Sequence, residues 1–181
     1  MLSRTECFCD APDPDGVSAF LKTGRLKQVC ELLRGGRRHT LLKEKINYKL
    51  AGAGGYAPHQ DGYWQMEHVN ADEPAAKAAK TEDQGERGPT RRTRLMKDEE
   101  VCVCMIAVDR SDKHNGCPSV APQWHTKGWI GLNTVNDPAP VETEATAEDM
   151  EWRSVELNPG DVLLYGNLMP HQSAANRWVT V

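Results

Sequence analysis

From Thr40 to Leu50 the chain alternates, with Leu42, Glu44, Ile46, Tyr48 and Leu50 on one side and Leu41, Lys43, Lys45, Asn47 and Lys49 on the other. A period of two predicts a strand. Its three lysines point the same way, so that face either meets water or holds an anion. Val101 to Val108 (VCVCMIAV) is the most apolar run and predicts a buried strand. Cys102 and Cys104 share one of its faces, and they read as small side chains filling a sheet interior in preference to metal ligands. Trp152 to Leu157 alternates again, Asn158-Pro159-Gly160-Asp161 predicts a tight turn, and Val162 to Tyr165 a buried strand; the three together read as a hairpin leading to His171. Before these, Val17, Phe20, Leu21, Val29, Leu32 and Leu33 fall mostly at helical spacing. They predict one or two helices, broken at Gly24 and stopped by Gly35-Gly36. Strands without intervening helices after Lys43 favour a closed or sandwiched antiparallel sheet over a parallel one.

Composition changes this picture in one place. Glu67 to Glu100 is dominated by Ala, Lys, Glu, Arg, Thr, Gly and Pro, too polar to offset the entropy of ordering it. About 70–93 is therefore expected to be a disordered insertion, and it accounts for the low apolar share of 39%. The 181 residues fit one domain, divided into a lead-in with a helical segment (1–36) and a main β domain (37–181). A net charge of -4 without a basic stripe gives a nucleic-acid role no electrostatic support. The six cysteines lack the spacing of a disulfide scaffold. With neither a leader nor an apolar run long enough to span a membrane, the chain reads as cytoplasmic, with no membrane partner. Nothing in it indicates an oligomeric state.

The candidate chemistry begins at Tyr56-Ala57-Pro58-His59-Gln60-Asp61-Gly62. In an extended segment residues i and i+2 project from the same side, so His59 and Asp61 can grip one cation. His171, at the end of an apolar strand, is the candidate third ligand. Two imidazoles and a carboxylate on one side of a metal leave the other side open, as in non-haem Fe(II) oxygenases; the same donors also suit zinc. A lone His-x-Asp carries little weight, since six His and twelve Asp in this chain yield one by chance about 0.4 times. Tyr63 and Trp64 follow directly and form either a substrate wall or core. His125 lines a pocket or lies on the surface, while His39, His68 and His114 read as solvated.

KINYK, PHQD, NGCPSVAPQWHTKG and ELNPGDVLLYGNLMPHQSAANR, in that order, resemble the phytanoyl-CoA dioxygenase family of Fe(II)- and 2-oxoglutarate-dependent oxygenases, over about 41–181 outside the insertion. The resemblance implies a double-stranded β-helix (jelly roll), so the fold class expected is mainly β with N-terminal helices. It implies iron at His59, Asp61 and His171, 2-oxoglutarate at Lys49 with Asn47 on the same strand face, dioxygen as co-substrate and ascorbate as an accessory reductant. Tyr63, Trp64 and His125 become the substrate-side residues for a small molecule that is hydroxylated as succinate and CO2 are released. KEKINYK is most similar to the branch that includes aminoethylphosphonate hydroxylases. The family's usual Gly-Ser-His is Gln123-Trp124-His125 here. The family also carries a 2-oxoglutarate arginine about eleven residues after the distal His, which would be position 182, whereas Arg177 lies six residues after His171. The expectation is thus a C-terminally truncated jelly roll, and the alternative function is an inactive binding or scaffold protein.

Overall fold

A glycine opens and two glycines close the first long element. Gly24 caps helix α1 (Arg25–Leu33), and Gly35 and Gly36, at φ +68° and +77°, turn the chain away from it, a conformation that costs a side-chain-bearing residue more than glycine. The computed structural model describes residues 4–6, 24–42, 44–62, 64–68, 91–95, 97–132 and 143–178, with the backbone alone for 4–6, 64–68, 91–95 and 99. Among these residues α1 is the one α-helix, and none is long and apolar enough to cross a membrane. The first half of the expected Val17 to Leu33 helical stretch lies outside the described residues.

The rest is mainly strand, all of it antiparallel. Strands β1 (Arg4–Glu6) and β2 (Ile46–Tyr48) pair with each other, as do β4 (Trp64–His68) and β5 (Arg91–Leu95). Strands β6 (Cys102–Ile106) and β9 (Val162–Gly166) form a third pair. The fourth sheet has the order β3 (Tyr56–His59), β10 (His171–Ser173), β7 (Pro118–Val120), β8 (Arg153–Ser154). The described pairings give four small sheets and no closed barrel. Most of the polar stretch expected at about 70–93 lies outside the described residues; its last three, Arg91 to Thr93, pair with Met66 to His68.

Two expectations are corrected. The alternation from Thr40 to Leu50 yields only the three-residue β2, since 40–42 and 44–45 carry no strand. With Leu42, Tyr48 and Leu50 exposed, the apolar side of that segment has little core to pack on, and alternation alone does not make a ladder. The predicted hairpin across Asn158 to Asp161 is also not formed. The turn is there, closed by Asp161 N–H donating to Asn158 O at 3.0 Å with Gly160 at φ +90°. Its two arms, however, pair elsewhere: Val162–Gly166 runs along Cys102–Ile106, Leu157 bridges Ser111, and Arg153–Ser154 joins Ser119–Val120. Residues 153–166 thus lie antiparallel beside 102–120, and the Asn115-Gly116 turn lets β7 re-enter that alignment. Asp112 builds this turn by accepting the N–H groups of His114 and Asn115 at 2.9 and 3.1 Å.

Ala121, Ile130, Leu132 and Met150 form a buried core cluster, with Trp124, Ala145 and Trp152 packed on it. Helix α1 docks on β6 through Cys30, whose Sγ lies 3.2 Å from that of Cys104. Cys102 and Cys104 are half-buried under this helix instead of filling a sheet interior. Hydrogen bonding from Cys104 first, then from Cys30 and Arg34, draws the Cys102 thiol down to about 6. Cys104 is pushed up, by its bond to Cys102 and by burial.

Candidate functional site

Strand pairing assembles the site. β10 lies between β3 and β7, with His171 directly opposite His59 on one side and Val120 on the other. Side chains directly across a strand pair face the same side, so the two imidazoles meet with ring centroids 4.1 Å apart, tilted by 52°. Asp61, two residues after His59, brings Oδ2 to 3.9 Å from His171 Nε2. One ligand atom from each of the three lies within 4.8 Å of the others.

Each imidazole is held by its own chain. His59 Nδ1 donates to Ala57 O at 2.8 Å and His171 Nδ1 to Met169 O at 2.9 Å, a tautomer that leaves both Nε2 atoms as lone-pair donors. Burial foremost, and the His59 ring beside it, hold His171 below the ordinary histidine value, against the opposing pull of the Met169 carbonyl and Asp61. A neutral imidazole is the form that binds a metal. Two imidazole nitrogens and a carboxylate within reach of one point suit a divalent first-row cation, so the residues fit a resident metal ion.

Gln60, between His59 and Asp61, faces the opposite way and is buried. Its Nε2 donates to Gly128 O at 2.9 Å and to Leu168 O at 2.7 Å, and its Oε1 accepts from Ile130 N–H at 2.8 Å. One amide therefore ties the His59–Asp61 segment to the loop after Lys127 and to the approach to β10. On the other side, Gly62 at φ +56° lies against the Trp129 ring, where a β-carbon would come within 2.5 Å of it. Asp98 accepts from Leu168 N–H at 2.9 Å and pairs with Arg34 at 3.8 Å. Neither Gln60 nor Asp98 is among the residues expected from the sequence to serve the site. The signal for Gln60 was present, because the residue between two that project from the same side of an extended segment points the other way.

Lys49 extends from the end of the β2 segment to the same sheet. Its Nζ donates to Gly116 O at 2.8 Å and to Ser173 Oγ at 2.7 Å, and Ser173 is two residues beyond His171 on β10. The ammonium is half-buried, and burial lowers its pKa. It has no carboxylate partner among the described residues. Asn176 supports the lysine, its Nδ2 donating to Lys49 O at 2.8 Å. Asn47 is exposed in β2 opposite Thr5. His125 lies half-buried in the 3-10 turn Trp124–Lys127, with a buried Nδ1 that has no partner among the described residues. Tyr63 lies outside the described residues, and of Trp64 only the backbone, in β4, is described. Arg177 is exposed, its N–H donating to His114 O at 2.9 Å.

The chain is 29% identical to a methylphosphonate hydroxylase of Gimesia maris, over 89% of this chain and 48% of that protein. It is 28% identical to a 2-aminoethylphosphonate dioxygenase of an uncultured bacterium, over 97% of this chain and 54% of that protein. The chain spans about half the length of these curated relatives. No solved structure matches it. The phytanoyl-CoA dioxygenase (PhyH) model matches residues 10–177, a span that holds all three clustered side chains, and the chain belongs to that family of oxygenases.

Proposed function

We propose that the chain is an Fe(II)- and 2-oxoglutarate-dependent dioxygenase that hydroxylates a small organic substrate and releases succinate and CO2, on a jelly-roll framework. The observation that carries this is the pairing of His59 opposite His171 with Asp61 beside them. In this reading His59 Nε2, His171 Nε2 and an Asp61 carboxylate oxygen hold the metal from one side, leaving its other positions for the co-substrates. Fe(II) bound there supplies dioxygen activation and the oxidative decarboxylation of 2-oxoglutarate.

The protein's own part is positional. The carbonyls of Ala57 and Met169 fix the tautomer and rotation of the two ligand rings. Lys49 is the anchor for the far carboxylate of 2-oxoglutarate: a half-buried ammonium whose hydrogen-bond acceptors among the described residues are a carbonyl and a hydroxyl gains a charge-assisted bond when a carboxylate arrives. Asn47 assists on the same strand. Tyr63, Trp64 and His125 are the residues assigned to the substrate side. The names of the two relatives make phosphonates with a C–H bond beside phosphorus the first substrates to try.

The test is succinate formation from 2-oxoglutarate with Fe(II) and ascorbate, in the presence of methylphosphonate or 2-aminoethylphosphonate, for the wild type and His59→Ala. Turnover in the wild type that disappears in the variant supports the reading. Equal background rates in both overturn it and favour the scaffold alternative.

A further inference from the structure

We propose that Cys30, Cys102 and Cys104 form a second metal site, a three-thiolate site for zinc(II) that fastens α1 to β6. It is separate from the His59–Asp61–His171 cluster and shares no residue with it. The three sulfurs lie within 4.8 Å of one another and come from two regular elements. Cys102 and Cys104 are i and i+2 on β6, and so project from one side of the strand; Cys30 descends onto them from the helix.

Thiolate sulfur is a soft donor that selects zinc and its d10 neighbours over the harder cations. Tetrahedral zinc with sulfurs at about 2.3 Å needs them slightly farther apart than the 3.2 Å that separates Cys30 from Cys104, a small outward adjustment of two side chains. Cys102 and Cys104 are only half-buried, which leaves room for a water at the fourth position.

Three thiolates and one zinc ion sum to a single negative charge, and the Arg34 guanidinium stands beside Cys102. Arg34, the residue that caps the C-terminal end of α1, follows Cys30 by four positions. It is held there by a bond to Val101 O at 3.1 Å and by Asp98 at 3.8 Å. A disulfide between Cys30 and Cys104 would use two of the sulfurs and leave Cys102 beside Arg34 without a role. All three cysteines are free in this structure.

The experiment is cobalt(II) and zinc(II) titration of the full chain, reduced and handled without oxygen. Thiolate sulfur bound to cobalt gives an intense near-ultraviolet charge-transfer band that imidazole and carboxylate donors do not give, which separates this site from the one proposed for iron. The expected result is a band saturating at one equivalent in the wild type and in His59→Ala, retained in Cys117→Ser and lost in Cys30→Ser and Cys104→Ser. Zinc affinity should fall in those two variants by at least the ~10–100-fold that loss of a supporting residue costs. In the His59→Ala background, where zinc has lost a donor of the other cluster, zinc should also raise the melting temperature of the chain that keeps all its cysteines and not of Cys30→Ser or Cys104→Ser, a readout that holds even where a substitution itself lowers stability. Absence of the band in reduced wild type, its survival in both variants, or its loss on Cys117→Ser would overturn the proposal, as would a Cys30–Cys104 disulfide in protein prepared without oxygen.

Discussion

In both three-donor clusters the ligand atoms lie within 4.8 Å of one another, but the two are assembled by different means. His59 and His171 meet because two strands pair in one register, and Asp61 follows by the two-residue repeat. Cys102 and Cys104 also follow from a two-residue repeat, but Cys30 reaches them only because a helix packs over β6. Backbone pairing makes one cluster and helix docking completes the other. The nitrogen and oxygen cluster should therefore persist whether or not α1 is seated, while the sulfur cluster should report on that seating.

The largest effect expected is on turnover. His171→Ala or Asp61→Ala should reduce succinate formation to background while leaving the cobalt–thiolate band intact, and loss of both signals together would show that the clusters are not independent. Next is co-substrate binding. Removing a charged hydrogen-bond donor costs about 1.5–3 kcal/mol, so Lys49→Ala should weaken 2-oxoglutarate binding about 10–150-fold in an anaerobic titration. Arg177→Ala, at an exposed position, should change it less than about twofold; the reverse order would reject Lys49 as the anchor. Because burial lowers the Lys49 pKa, its charge is lost at a lower pH than that of an ordinary lysine. Binding should therefore weaken as pH rises through that lowered range, and Lys49→Ala should lose this dependence.

Smaller effects concern stability. Gln60→Leu orphans Ile130 N–H and the carbonyls of Gly128 and Leu168, at about 1–3 kcal/mol for a buried group left unpaired. Denaturant unfolding should register that loss, and a neutral result would mean water or a shifted loop satisfies those groups. Gly116→Ala should cost about 1–2 kcal/mol from its φ of +79° alone. Its β-carbon would also press on Ala174 O and on Lys49 Nζ, so 2-oxoglutarate affinity should fall together with stability.

What could be read in advance divides along the same line. The clustering of His59, Asp61 and His171 was legible because a period of two and a histidine soon after an apolar strand are local patterns, and the ordered motifs around them carried the resemblance. The partner of Val162–Gly166 was not legible, because Cys102–Ile106 is about sixty residues away and the turn at Asn158 to Asp161 pointed to a nearer arm. The alternation of Thr40 to Leu50 misled for a related reason: most of that segment pairs with nothing described, and a repeat has no effect without a surface to receive it. Cys30 drew no attention beside Cys102 and Cys104, since nothing within a helix's own sequence says which strand it will cover.

The amide of Gln60 bears on how such a centre could be loaded. It cross-links three stretches of main chain from the position between two proposed ligands, so those ligands are held in place by the polypeptide, without help from an ion. An apoprotein built this way should keep its shape when stripped by a chelator and take up iron again without refolding, making cation exchange a matter of entry and exit alone.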